Sequence, residues 1–416
     1  MTDDRAVAAE IDRLKEPVRV RIEHDAKFAQ YLAANQIQRW HDERPTPHFD
    51  RLSETLVTLL HQHPTFGSAP SRFFGGKQLM PHPYHQAFNL VKVALERGSV
   101  GAVAWLHKVV TTTIADIRIV AEIHGVKTTA HHRLANGVEL MPIEYLPASP
   151  YATAVVAQYQ FSPGSLRPFH PSVPIGAVRI VTAVQGRDHH DIAFKDKLIL
   201  AGTEAISQVI RGLTLGDGVA PARGISWMEF VDPDLAASEF GLIWRGADPE
   251  ALLGIALPIE IDTETLEWVH RYIQVGASLR DRCDIALERL SLARRRTSPG
   301  NKAIEGAICL EASLGDKNTE ALSYRLRLRA ALLLGSNLIE RRSISDTLRE
   351  FYSLRSGAVH AGKINPQSVQ KNLACADKGL DICARVLRKI IEMNRTFVPS
   401  DWEFSGGDPD RQTGDS

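Results

Sequence analysis

Residues 366–393 read PQSVQKNLACADKGLDICARVLRKIIEM, and Leu373, Leu380, Cys383, Leu387 and Ile390 recur at spacings of seven, three, four and three. That period lays one apolar stripe along a helix, and a stripe of this length needs a partner to cover it. Asn365-Pro366 opens the segment, and proline suits the first turn of a helix. Working outward, similar periods predict helices at about 262–296, 301–314, 319–337 and 343–356, separated in part by PGN at 299–301 and LGD at 314–316. Leu322, Leu326, Leu333 and Ile339 predict one packed face on the third of these. Short loops between such helices make a bundle, placed here at 261–393.

Upstream the texture changes. GVELMPIEYLP, ATAVVAQYQF, PIGAVRIVTAVQG and ISWMEFV are short and rich in strand formers, and DKLILAGTEAISQVIRGLTL reads as a helix between them. Residues 126–260 are therefore expected to form an α+β unit. Residues 1–125 read as mainly helical, with helices near 28–40 and 51–63 and a further helical run through FNLVKVALERG and SVGAVAWLHKVVTTTIADIRIV to about Gly125. The Gly-, Pro- and aromatic-rich stretch at 63–86 reads as an irregular connection, with Phe73–Tyr84 either a binding loop or packed between helices. Residues 394–416 are polar and turn-rich, and are expected to be a flexible tail. The expected fold class is multidomain α+β with an all-α C-terminal bundle.

The chain has 416 residues, with Lys+Arg and Asp+Glu each 49, so its net charge gives no reason to expect a nucleic-acid partner. The charged beginning MTDDRAVAAEIDRLKEP has no signal-peptide core, and no run of apolar residues is long enough to span a membrane. Cys283, Cys309, Cys375 and Cys383 are too few for a disulfide scaffold, and none lies in a C-x-x-C pair. A reducing cytoplasm is the expected compartment, with these thiols as small core residues.

The sharpest chemical signal is LREFYSLRSGAVHAGKINP at 348–366, which holds Arg355 and the last histidine of the chain, His360. On an unbroken helix the two would be about 7.5 Å apart in rise and turned by roughly 140°, so they would not share a face. Either Ser356-Gly357 breaks the helix and lets them converge, or two-fold pairing of subunits makes a composite cleft. A guanidinium holds phosphate oxygens with a rigid fork, and an imidazole exchanges protons near neutral pH. On RNA, such a pair can drive attack of the 2′-hydroxyl on the adjacent phosphate, with Ser356 orienting the phosphate and Tyr352 stacking on a base or filling an interface. The plainer alternative pairs Arg355 with Glu350 or a helix end and leaves His360 capping a loop. Between 279 and 363, sixteen basic residues face ten acidic ones, and Arg325 and Arg329 share a helix face. A phosphate groove or ordinary solvated helix faces both account for that excess.

Residues from about 281 to 392 resemble the Apea-like branch of the HEPN superfamily, helical domains of prokaryotic toxins and antiviral systems. The resemblance runs through ALERLSLARRR, NKAIEGAICLEASLGD, SYRLRLRAALLLG and FYSLRSGAVHAGK. It places the family's acidic position at Glu311, its third-helix arginine at Arg329, and its R-x(4–6)-H motif at Arg355 and His360. By resemblance these last two are catalytic in a metal-independent ribonuclease that acts as a homodimer, and Glu311 supports the motif. Upstream residues would then sense an unidentified phage or host trigger. Ser356 departs from the Asn, Asp or His found after the motif arginine in many active relatives, and Ala361 intervenes before Gly362. A module that binds RNA or a protein without cleaving is the alternative.

Other patterns carry less. Asp188-His189-His190-Asp191 and His131-His132 lack a third ligand for a metal, LGDGVAPARG lacks dinucleotide-loop spacing, and neither a P-loop nor a G-x-S-x-G elbow occurs. No cofactor and no metal are expected.

Overall fold

A computed structural model describes residues 3–24, 47–69, 72–74, 77–79, 83–149, 151–153, 155, 174–186, 192–238, 244–245, 258–317, 320–361, 368–395, 397–398 and 403. The expected helix at 28–40 and the Asp188–Asp191 cluster lie outside the described residues. A mixed α/β region comes first and an all-α bundle follows.

Three helices, α1 (Asp4–His24), α2 (Pro47–Gln62) and α3 (Pro83–Thr111), share one core with the inner face of a sheet. Helix α3 bends at Gly98, whose φ of 77° suits glycine. The helical run does not reach Gly125: α3 stops at Thr111, and Ile114–His124 is strand β3. The threonines at 111–113 and the branched Ile114, Ile117, Ile119 and Val120 favour the strand, and alternate positions from Ile117 to Ile123 point into the helical core.

The sheet also contains β1 (Arg72–Phe74), β2 (Lys77–Leu79), β5 (His132–Arg133), β6 (Val138–Pro142), β7 (Ile175–Gly186), β8 (Ala222–Phe230) and β9 (Trp244–Arg245). Its order is β2-β1-β7-β3-β8-β9, and the β5–β6 hairpin joins β7. All these pairings are antiparallel, with Ile117 opposite Val181 and Phe230, which fixes which side of β3 meets the helices. Val120, Val178 and Trp227 form a second small core on the other side with Met141, Ile143 and Tyr151. The stretch expected to be an irregular connection thus holds the β1–β2 hairpin, laid antiparallel along the end of β7. A short parallel pair joins β4 (Val126–Lys127) to β10 (Ile259–Glu260). Helix α4 (Ile192–Leu213) matches the helical expectation for the middle region, and α5 (Pro233–Ala236) is one turn.

The bundle comprises α7 (Ala277–Arg295), α8 (Pro299–Leu314), α9 (Leu322–Leu334), α10 (Leu338–Ala361) and α11 (Val369–Met393) around a second large core. The helix expected at 262–296 is two, α6 (Thr263–Gln274) and α7, parted at Val275-Gly276. Helix α6 belongs to both regions: Val269 lies in the first core, Trp268 and Tyr272 in the second. Leu380, Cys383, Leu387 and Ile390 are buried as their spacing requires. Ile339, expected on the packed face of α9, is instead 81% exposed at the start of α10. Cys283, Cys309 and Cys383 are free thiols in the bundle core, and burial pushes the Cys283 thiol up to about 12. Among the described residues no helix is long and apolar enough to cross a membrane.

Candidate functional site

Helix α10 carries the motif. Leu348, Phe351, Tyr352 and Arg355 fall at i, i+3, i+4 and i+7, so Arg355 continues the buried stripe. Phe351 fixes that stripe in place. A Cβ on Gly379 would lie 2.1 Å from its ring, and one on Gly306 2.7 Å, so only glycines let α8 and α11 close around it.

Arg355 leaves the core at its end, with 41% of its side chain exposed and Nη2 3.6 Å from Glu311 Oε1 on α8. The carboxylate beside Arg355 is thus Glu311 of α8 rather than Glu350. The Arg355 Nε and Tyr352 Oη atoms are buried, and neither has a hydrogen-bond partner among the described residues. Burial raises the Tyr352 phenol, with the Glu311 carboxylate adding to the effect, so the hydroxyl keeps its proton. Two buried donors on the Glu311 side of α10 thus have no acceptor among the described residues, and a donor left so costs about 1–3 kcal/mol. A ligand oxygen would relieve that cost. The Tyr352 ring is 8% exposed and edge-on to Phe351, which removes it as a base-stacking surface.

The expected break at Ser356-Gly357 does not occur. Helix α10 is continuous to Ala361, Ser356 is exposed, and a Cβ on Gly357 would meet nothing within 4 Å. His360 is therefore on the same helix as Arg355, turned by roughly 140° from it about the axis; its side chain lies outside the described residues. Within one chain, helix geometry separates the two positions rather than merging them.

Arg329 is not a phosphate ligand. It is fully buried, donating to Leu314 O at 2.7 Å, Asp316 Oδ2 at 2.5 Å and Glu403 Oε1 at 2.7 Å. Arg325 donates to the same two carboxylates. The shared face of these arginines therefore holds internal acids, and the segment expected to be a flexible tail is tied down at Glu403. Much of the remaining basic excess closes helix C-termini, where unsatisfied carbonyls and the helix dipole favour cations. Arg280 donates to Ile273 O and Val275 O, Arg282 to Ser313 O, and Arg341 to Gly335 O. Arg294 gathers Thr214 O, Gly216 O and Val219 O, which ties the bundle to the loop after α4. Burial lowers its guanidinium to about 10.

One group was missed in the sequence. Lys77, in the stretch considered as a binding loop, is 1% exposed, with Nζ 3.1 Å from Tyr151 Oη and 5.3 Å from that ring. Tyr151 stacks parallel to Trp227, and Arg118 on β3 meets Glu229 on β8 at 2.6 Å. Burial pulls the Lys77 amine down to about 7, although Glu229 acts in the other direction. Its placement beside FFGG is the only local signal, and the partners that bury it are more than seventy residues away.

The two adjacent histidines part company: His131 Nε2 lies 2.9 Å from Glu139 Oε2, and His132 Nε2 2.9 Å from Thr128 Oγ1. Among the described residues no group of three or more His, Cys, Asp or Glu is placed to hold a metal ion. No protein-family model matches this chain, and neither a curated protein nor a solved structure is found to be similar to it.

Proposed function

We propose that the bundle is a HEPN-like endoribonuclease module whose active site is composite, with Arg355 from one copy and His360 from a second. The observation that carries this is the pair of buried donors, Arg355 Nε and Tyr352 Oη, without partners among the described residues, near Glu311. A phosphodiester supplies the acceptors they lack. The continuous helix is the reason for the second copy, because a two-fold axis can bring His360 of one chain opposite Arg355 of the other.

In this reading the imidazole of His360 takes the 2′-hydroxyl proton as O2′ bonds to phosphorus. Arg355 holds the non-bridging oxygens as charge builds on them, and Tyr352 donates to one of them. The P–O5′ bond then breaks, O5′ takes a proton from water, and the products are a 2′,3′-cyclic phosphate and a 5′-hydroxyl. The chemistry draws on no metal, and in this reading Ser356, exposed one residue after Arg355, helps to orient the phosphate. A module that binds RNA without cleaving it is the second reading, favoured by the contact of Arg355 with Glu311.

The test is purified protein with mixed RNAs in EDTA. Cyclic-phosphate products, lost in both Arg355→Ala and His360→Ala chains that melt like the wild type, support the proposal. RNA retention without products supports the binding module, and neither behaviour ends both.

A further inference from the structure

Five arginines of the bundle, Arg280, Arg282, Arg294, Arg329 and Arg341, each donate to a carbonyl oxygen within 3.3 Å. Arg355 differs. Its contact with Glu311 Oε1 is 3.6 Å long, an ion pair rather than a hydrogen bond, and its Nε is buried without an acceptor among the described residues. The hydroxyl of Tyr352, three residues earlier on α10 and 8% exposed, likewise has no hydrogen-bond partner among them.

The Glu311 charge is felt at both donors. It lies beside the guanidinium, and it helps to raise the Tyr352 phenol. With the phenol neutral, Arg355 and Glu311 give a site of zero net charge. A first negative charge on a ligand is offset by hydrogen bonds from the guanidinium and the phenol. A second charge gains about as much repulsion from Glu311 as attraction to Arg355. Its desolvation also costs more, because that cost grows with the square of the charge. A phosphodiester carries one charge, whereas a phosphate monoester carries close to two at neutral pH.

We infer that Glu311 is a specificity-determining residue of this site, whose carboxylate admits the singly charged phosphodiester and turns away the doubly charged phosphate monoester. The inference rests on the reading of Arg355 and Tyr352 as phosphate donors. It assigns Glu311 a role in choosing the ligand rather than in moving a proton.

Competition on the full chain tests it. A labelled RNA methylated at every 2′-hydroxyl, which the proposed route cannot cleave, is displaced by nucleoside 2′,3′-cyclic phosphates and by the matching 3′-monophosphates. At about pH 8 the first ligand carries one charge and the second two, on the same base and sugar. The wild type favours the cyclic phosphate about fivefold, and Glu311→Gln removes most of that preference by tightening the monophosphate. Tyr352→Phe, which deletes a donor and no charge, weakens both ligands and keeps their ratio. Glu311 is 30% exposed with its carboxylate in a long ion pair, so the isosteric Gln keeps the fold. A wild-type preference for the monophosphate overturns the inference, as does a ratio unchanged in Glu311→Gln or RNA binding that neither phosphate displaces at millimolar concentration. If unmethylated RNA is still cleaved in those cases, the inference fails alone. A chain that neither binds nor cleaves RNA ends both the inference and the reading beneath it.

Discussion

Mixing two inactive chains would reveal whether the catalytic pair is assembled across a dimer. Helix α10 runs unbroken through Arg355 and His360, so a site within one chain must span about 7.5 Å of rise and roughly 140° of rotation. A two-fold site needs neither. Chains carrying only Arg355→Ala or only His360→Ala form dimers with both composite sites broken. When the two are mixed in equal amounts and exchange freely, about half of the dimers are hybrids, each with one intact site out of two, so activity returns to about a quarter of wild type. A pair working within one chain returns none. The assay is release of cyclic-phosphate product from a labelled RNA in EDTA, with hybrid formation followed by native mass spectrometry. Confirmed hybrids with no recovered activity would refute the composite site, and a wild-type monomer that cleaves at full rate would refute it independently.

Three further outcomes follow from buried polar groups. Tyr352→Phe removes an unsatisfied hydroxyl and is expected to stabilise the fold by about 1 kcal/mol while slowing RNA cleavage; a loss of stability in urea unfolding would show that Tyr352 Oη has a partner. Arg294→Ala strips a cation from three carbonyls at the junction and is expected to cost about 3 kcal/mol, read as a lower urea midpoint; a cost under about 0.5 kcal/mol would mean that water replaces the guanidinium. Lys77 is charged in the unfolded chain up to about 10.5 but releases its proton from about 7 in the fold. The unfolded state thus binds the extra proton in that window, and stability rises with pH across it by about 1.4 kcal/mol per unit from this group. Lys77→Met lacks that term, so its advantage over the wild type is largest below pH 7 and shrinks as pH rises; a constant difference from pH 6 to 9 would contradict the burial argument.

Legibility followed the range of the interactions. Leu380, Cys383, Leu387 and Ile390 could be placed in a core because a helix repeats its own environment every turn. The same logic failed at 112–124, where apolar residues are dense enough to fit either period and pairing with β7 and β8 decides for strand. The basic excess was visible, but its use was not. Arg280 and Arg341 cap the helix just before their own, Arg282 and Arg294 meet carbonyls of segments that only the fold brings close, and Arg329 meets Glu403 from a stretch that looks like an idle tail.

The sequence by itself determined the helices of the bundle and the Arg355–His360 spacing, because both depend on the local geometry of one segment. Tertiary structure alone decided that α10 continues through Ser356-Gly357, that Tyr352 and Arg355 keep donors near Glu311 without partners among the described residues, and that Lys77 is buried. Those outcomes depend on burial and on partners far away in the chain. No period or composition encodes them, since the dielectric and the hydrogen-bond supply around a side chain exist only after the elements have packed.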